Sequence, residues 1–233
     1  MSADTAAVCP HGVCDGSGFV IDETTNTASD CSCRPLRISR AKARRLEARV
    51  PKRYRDVAFD RNPVLGMPDS VVRPVKRFTR DIEQHLDAGH GMWFVGPVGT
   101  GKTTLAMLIS KAAIQAERSV AIYSLPRLLN LIRDTIGSEE STLELLDQLA
   151  RVDLLHLDDV GAENTSDWVL EQLYSIVNAR YEEERSLVVT TNLYRDELAE
   201  QIGERTVSRI SEMCGDVIPV EGTDRRTEYR PAS

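Results

Sequence analysis

Gly96-Pro97-Val98-Gly99-Thr100-Gly101-Lys102-Thr103 is the stretch whose reading decides the fold. It matches the spacing G-x-x-x-x-G-K-[ST], in which glycines let the backbone turn tightly and aim N–H groups at phosphate oxygens. A helix starting at Lys102 would present the positive end of its dipole to the same anion. Lys102 supplies a point charge for the β- and γ-phosphates and the Thr103 hydroxyl a ligand for magnesium. Thr104 adds a hydroxyl near the α-phosphate. The loop follows an apolar run at 92–95 and precedes a helical pattern, the setting this chemistry needs. The stretch therefore predicts a bound nucleoside triphosphate with Mg2+, ATP or a close relative, rather than a bare turn between a strand and a helix.

Outward from the loop, short apolar runs alternate with amphipathic segments. Strands are predicted near 92–95, 119–123, 154–157, 187–190 and 217–220. Helices are predicted over 102–117, 126–136, 142–151, 167–183 and 196–202. In 167–183, Trp168, Leu170, Leu173, Tyr174, Ile176 and Val177 recur at helical spacing. Strands apolar on both faces and separated by helices imply an α/β fold whose five-stranded parallel sheet is sandwiched by helices.

Three further elements fall where strand ends would converge on the ligand crevice of such a sheet. Leu154-Leu155-His156-Leu157 runs into two carboxylates. Asp158 is then placed to hold magnesium through water, and Asp159 to orient or deprotonate an attacking water. Thr190-Thr191-Asn192 ends the fourth strand, where an amide can hydrogen-bond the γ-phosphate or the water. Arg205 and Arg209 lie four apart, on one helical face. That face is either a solvated basic surface or a source of an arginine supplied to a neighbouring subunit's phosphates.

These elements, in this order and spacing, resemble the AAA+ ATPases, and within them the DnaC/DnaI/IstB-like group of helicase loaders and transposase helpers. The resemblance rests on residues 96–103, 154–163, 178–192 and 203–210, with 50–59 similar to that group's entry into the ATPase core. It covers roughly residues 50–220. It implies that Asn192 is the first sensor residue and Arg209 the arginine finger, with Arg205 beside it. AAA+ proteins usually carry Asp-Glu where this chain has Asp158-Asp159, so slow hydrolysis is expected, stimulated by assembly or DNA. The chain ends soon after Val220, so the helical lid of typical AAA+ proteins is expected to be absent or truncated. Arg225, Arg226 and Arg230 are the basic residues available in its place.

Three zones are expected: a Cys-rich module over 1–35, a basic linker helix over 36–55 and the AAA+ ATPase domain over 56–233. The first zone holds four of the five cysteines. No secretory leader or membrane-spanning run is legible, so a cytoplasmic setting with reduced thiols is expected, and disulfides are disfavoured. Cys9, Cys14, Cys31 and Cys33 form two close pairs that suit a four-cysteine zinc site, with His11 able to replace one sulfur. Metal would supply folding energy that so small a segment lacks. Free thiols are the alternative, and Cys214 reads as a small core residue.

The net charge of -7 excludes a generally basic nucleic-acid binder. Residues 34–55, however, carry ten Lys or Arg against one acid, Glu47. They are a candidate contact for single-stranded DNA or for an acidic partner surface, or simply a solvated linker helix. The resemblance as a whole implies an ATP-dependent loader of a replicative DnaB-type helicase during DNA replication initiation. It would form a homo-oligomer in the ATP state, with no membrane partner. The rivals are an IstB-like transposition helper and an adaptor that binds ATP without hydrolysing it.

Overall fold

The computed structural model describes residues 9, 11–22, 27–34, 50–135, 139–161 and 166–225. Of the basic linker helix expected over 36–55, residues 36–49 lie outside them and Lys52–Tyr54 forms a single 3-10 turn; Ala162 and Glu163 of the resemblance, Arg226 and Arg230 also lie outside.

The N-terminal described segment is an antiparallel hairpin, β1 (Phe19–Asp22) and β2 (Thr27–Asp30). The larger unit is built on a five-stranded parallel sheet. Its strands are β3 (Met92–Val95), β4 (Val120–Ser124), β5 (Leu154–Val160), β6 (Ser186–Thr191) and β7 (Ile218–Pro219), in the order β4-β5-β6-β3-β7. All five predicted strands form, each within a few residues of its expected bounds.

Both faces of the sheet are buried, as the continuous apolar runs required. Successive side chains of a strand point to opposite faces, and the two cores divide accordingly. Phe94, Leu154 and Val188 face helices α1 (Asp69–Arg80), α2 (Ile82–Asp87) and α3 (Lys102–Gln115). Trp93, Leu155, Leu157 and Val189 face α4 (Leu125–Asp134), α5 (Glu139–Arg151), α6 (Asp167–Glu182), α7 (Arg195–Ile202) and α8 (Glu204–Cys214). The product is three layers, helix on sheet on helix.

Helix α1 was not predicted. Pro74 lies inside it, a residue that normally argues against a helix interior. Val71, Val72, Val75 and Phe78 nonetheless form one buried stripe, packed chiefly on α3, and that burial overrides the local preference. Arg180 of α6 is fully buried. It donates to the carbonyls of Leu149, Val152 and Ser186 at 2.6, 3.0 and 2.5 Å, closing the end of α5 and the starts of two strands. Burial lowers its pKa to about 9.

Candidate functional site

The strand order brings the loop, the carboxylates and the amide together. β6 lies between β3 and β5, with Val95 in register with Thr191. The residues just beyond these three strand ends therefore meet at one edge of the sheet. Loop 96–101 crosses that edge into α3, with Gly96, Gly99 and Gly101 at φ 146°, 82° and 106°. At Gly99 the positive φ strains any side chain, and a Cβ would also push the Asp224 carboxylate aside.

Lys102 is buried and donates from Nζ to Gly96 O at 2.7 Å, Pro97 O at 2.8 Å and Asn192 Oδ1 at 2.7 Å. Thr100 Oγ1 donates to Pro97 O at 2.9 Å and braces the turn. Thr103 Oγ1 donates to Asp158 Oδ1 at 2.9 Å, and Thr190 Oγ1 donates to the same oxygen at 2.6 Å. His156, fully buried on β5, places Nε2 at 3.8 Å from that oxygen, while its Nδ1 lies 3.0 Å from Ser110 Oγ of α3. Burial alone would raise the Asp158 pKa, but the His156 ring and the Thr190 and Thr103 hydroxyls outweigh it and hold the carboxyl below its usual range.

Asp159 sits at φ 56°, a left-handed backbone conformation that Asp tolerates better than most residues. Its N–H donates to Thr190 Oγ1 at 3.0 Å. The β5–β6 register shifts between Leu157 and Val160, so β5 continues past its predicted end through an irregularity at the two aspartates. Such a bulge re-aims side chains, and Asp159 lines the cavity with Asn192.

That cavity has a volume of about 720 Å³. Val98, Gly99, Gly101, Lys102, Thr103 and Thr104 line one side. The other wall is residues 53–65, in which Tyr54, Val57 and Leu65 bring apolar surface, and Arg53 and Arg61 alternate with Asp56 and Asp60. Lys111 of α3 ties this wall down, donating to Arg55 O at 2.7 Å and Val57 O at 2.5 Å. Arg225 lines the cavity from the chain's other end, its N–H donating to Gly99 O at 3.0 Å. Sequence reasoning marked 50–59 only as the entry to the ATPase core, without placing it against the loop, and missed the Ser110–His156–Thr190 surround of Asp158. A histidine interrupting the apolar run of β5 was the available signal for the latter.

Arg205 and Arg209 do not join this cluster; neither lines the cavity. Arg205 is exposed, and Arg209 is half-buried against α6.

The hairpin carries a second candidate site. The sulfurs of Cys9, Cys14, Cys31 and Cys33 lie within 4.8 Å of one another, with Cys9–Cys31 at 3.8 Å and Cys14–Cys33 at 3.5 Å. Four sulfurs at ~2.3 Å around a tetrahedral zinc would stand ~3.8 Å apart, so the donor set and spacing fit that ion. Backbone N–H groups of Cys14, Val13 and His11 hold the Cys9 thiol down to about 5, favouring thiolate, whereas burial and the neighbouring thiols push Cys33 up to about 12. His11 is exposed and outside the cluster. Cys214 is half-buried beside β6, its Sγ 3.4 Å from Leu187 O. No helix among the described residues is long and apolar enough to cross a membrane.

A family model described as IstB-like ATP binding protein matches residues 81–226. The replicative helicase loader DnaC of Escherichia coli (strain K12) is 31% identical over 118 residues, 50% of this chain and 48% of that protein. The phage-like element PBSX protein XkdC of Bacillus subtilis (strain 168) is 26% identical over 204 residues, 82% of this chain and 73% of that protein. Among solved structures, a DnaC helicase loader superposes with a TM-score of 0.64 at 27% identity, covering 73% of this chain and 99% of that one. A DnaI structure gives 0.56 at 24% identity, covering 73% and 88%, and speaks to the fold alone. The chain spans about half the length of the DnaC relative it matches.

Proposed function

This chain belongs to the family of IstB-like ATP binding proteins, and from that premise we propose that it is an ATP-dependent loader of a replicative DNA helicase. The observation that carries this reading is the likeness to DnaC, which extends over 99% of a solved DnaC helicase loader chain. The domain plan follows the sequence: a zinc module over 1–35 that holds the helicase, a basic linker over 36–55, and an AAA+ domain over 56–233.

In this reading ATP occupies the cavity, with its phosphates along Gly96–Thr104 and its base toward residues 53–65. Lys102 exchanges a carbonyl or amide contact for phosphate oxygens. Thr103 and Asp158 present hard oxygen donors at 2.9 Å from each other, a pair that suits magnesium. When bound, that ion neutralises charge on the β- and γ-phosphates. Asp159 orients a water in line with the γ-phosphorus and takes its proton as the P–O bond to ADP breaks. Asn192 holds the same water or the γ-phosphate. Arg209 of a second copy stabilises charge on the transferring group, so the assembly, rather than the single chain, is the active form. The zinc module rests on the four convergent sulfurs of the hairpin.

Co-purification with candidate DnaB-type helicases, with and without ATP, tests the reading. Recovery of a helicase in an ATP-dependent manner is expected. Recovery of a transposase and no helicase replaces it with the transposition-helper reading. Phosphate release with added DNA separates a loader that turns over ATP from a non-hydrolysing adaptor.

A further inference from the structure

Helices α6 and α8 pack side by side and build a feature away from the nucleotide cavity. Tyr174 and Tyr181 stand two turns apart on one face of α6. The guanidinium of Arg209, on α8, lies over both rings, 4.9 Å from the Tyr174 centroid and 5.5 Å from that of Tyr181. Tyr181 is itself fixed, its Oη donating to Glu212 Oε2 at 2.8 Å. Arg209 donates from Nη1 to Arg205 O at 3.3 Å, its Nε is buried without a partner, and no described carboxylate pairs with it. It is a cation seated on two ring faces, and the nearby Glu212 carboxylate is engaged by Tyr181 rather than paired with the guanidinium. Arg205, one turn earlier, is exposed and has no such seat.

We infer that Tyr174 and Tyr181 are positioning residues: they hold the Arg209 guanidinium ready for the nucleotide of a second copy of this chain, and make Arg209 rather than Arg205 the delivering residue. The inference rests on the composite site proposed above. Stacking occupies the faces of the guanidinium and leaves its in-plane N–H groups for phosphate oxygens. A side chain already stacked has little rotamer freedom left to lose when the two copies meet, so docking is less opposed by entropy. A carboxylate partner would have fixed the side chain too, but would have cancelled the charge that the phosphates need.

The experiment uses two full-length variants that are each inactive alone. Arg209→Ala retains the nucleotide half and lacks the arginine; Lys102→Ala retains the arginine and lacks a working nucleotide site. Mixed, they regain turnover at composite sites. Placing Tyr174→Leu and Tyr181→Leu on the Lys102→Ala partner is expected to lower the regained turnover roughly tenfold, the scale of two partly exposed cation–π contacts. The same pair on the Arg209→Ala partner leaves it unchanged, which also shows that the variant folds. Tyr174→Phe with Tyr181→Phe on the Lys102→Ala partner restores it, since the rings remain, and Arg205→Ala there leaves it in place. Equal losses on both partners, or no loss on the arginine-giving partner, overturn the positioning role. Full turnover by Arg209→Ala alone, or a mixture that stays inactive, overturns the composite site itself.

Discussion

Lys102 Nζ donates to Asn192 Oδ1 at 2.7 Å, joining residues 90 positions apart in sequence. The contact exists because β6 pairs directly with β3, so the residue after β6 lies beside the loop after β3. An ammonium has three N–H groups, and the carbonyls of Gly96 and Pro97 take the others. An arriving phosphate must displace at least one of these contacts. In the proposed complex the amine is thus already in place before the triphosphate arrives, and Asn192 is released or re-aimed when it does.

Substituting the two partners should separate binding from chemistry. Lys102→Ala is expected to weaken ATP binding at least tenfold, since charge-assisted hydrogen bonds contribute ~1.5–3 kcal/mol. Asn192→Ala is expected to bind within about fivefold of wild type and to lose at least about tenfold in turnover. Fluorescent-nucleotide titration and phosphate release read the two effects. An Asn192→Ala protein with unchanged turnover would remove that residue from the chemistry.

Asp159 holds its left-handed backbone through an N–H bond to Thr190, and Asn tolerates the same conformation. Asp159→Asn should therefore fold and bind ATP normally. As a general base removed, it should lower turnover by about 100-fold or more. Single-turnover hydrolysis at saturating ATP is the measurement, and wild-type rates would assign the base elsewhere.

Lys111 ties the far wall of the cavity to the helix that begins at the phosphate loop. Lys111→Met keeps the aliphatic stem and leaves the Arg55 and Val57 carbonyls without their donor. ATP affinity is expected to fall about fivefold to tenfold, or ~1–1.4 kcal/mol, with only a small change in melting temperature. Calorimetric titration checks this; equal affinity would show that the wall holds itself.

Arg180 is a stability residue with no place at the site. Arg180→Met leaves buried carbonyls at Leu149, Val152 and Ser186 without their donor. A loss of ~3 kcal/mol is expected, at ~1–3 kcal/mol per buried group partly offset by removing a buried charge. Urea denaturation followed by circular dichroism reads the midpoint. A shift equivalent to less than ~1 kcal/mol would show that the neighbouring backbone relaxes to satisfy itself.

Elemental analysis of the purified protein should find one zinc per chain. Chelation, or Cys14→Ser, should release it and unfold the hairpin while ATP binding persists, because no cysteine of the cluster lines the cavity. Protein free of metal with four freely alkylated thiols would end the zinc assignment.

Two kinds of information divided the work. Residues whose meaning is set by their near neighbours were legible in the sequence. Gly96–Thr103 is a local backbone constraint, and the strands at 92–95, 154–157 and 187–190 are apolar runs that only a doubly covered sheet accommodates. Asp158 and Asn192 followed from one topological rule, that parallel strands end at the same edge. Helix α1 was hidden because Pro74 lowers its local preference, while the burial that forms it is supplied mainly by α3.

What only the tertiary structure decided depends on which distant segments touch. The order β4-β5-β6-β3-β7 brings Asn192 to Lys102; no periodicity within one strand encodes its neighbour. The wall at 53–65, the Lys111 tie, the ring of His156, Thr190 and Thr103 around Asp158, and the two tyrosines under Arg209 are all contacts across elements. Hydrophobic spacing tells a segment which of its faces is buried, and packing alone tells it against what.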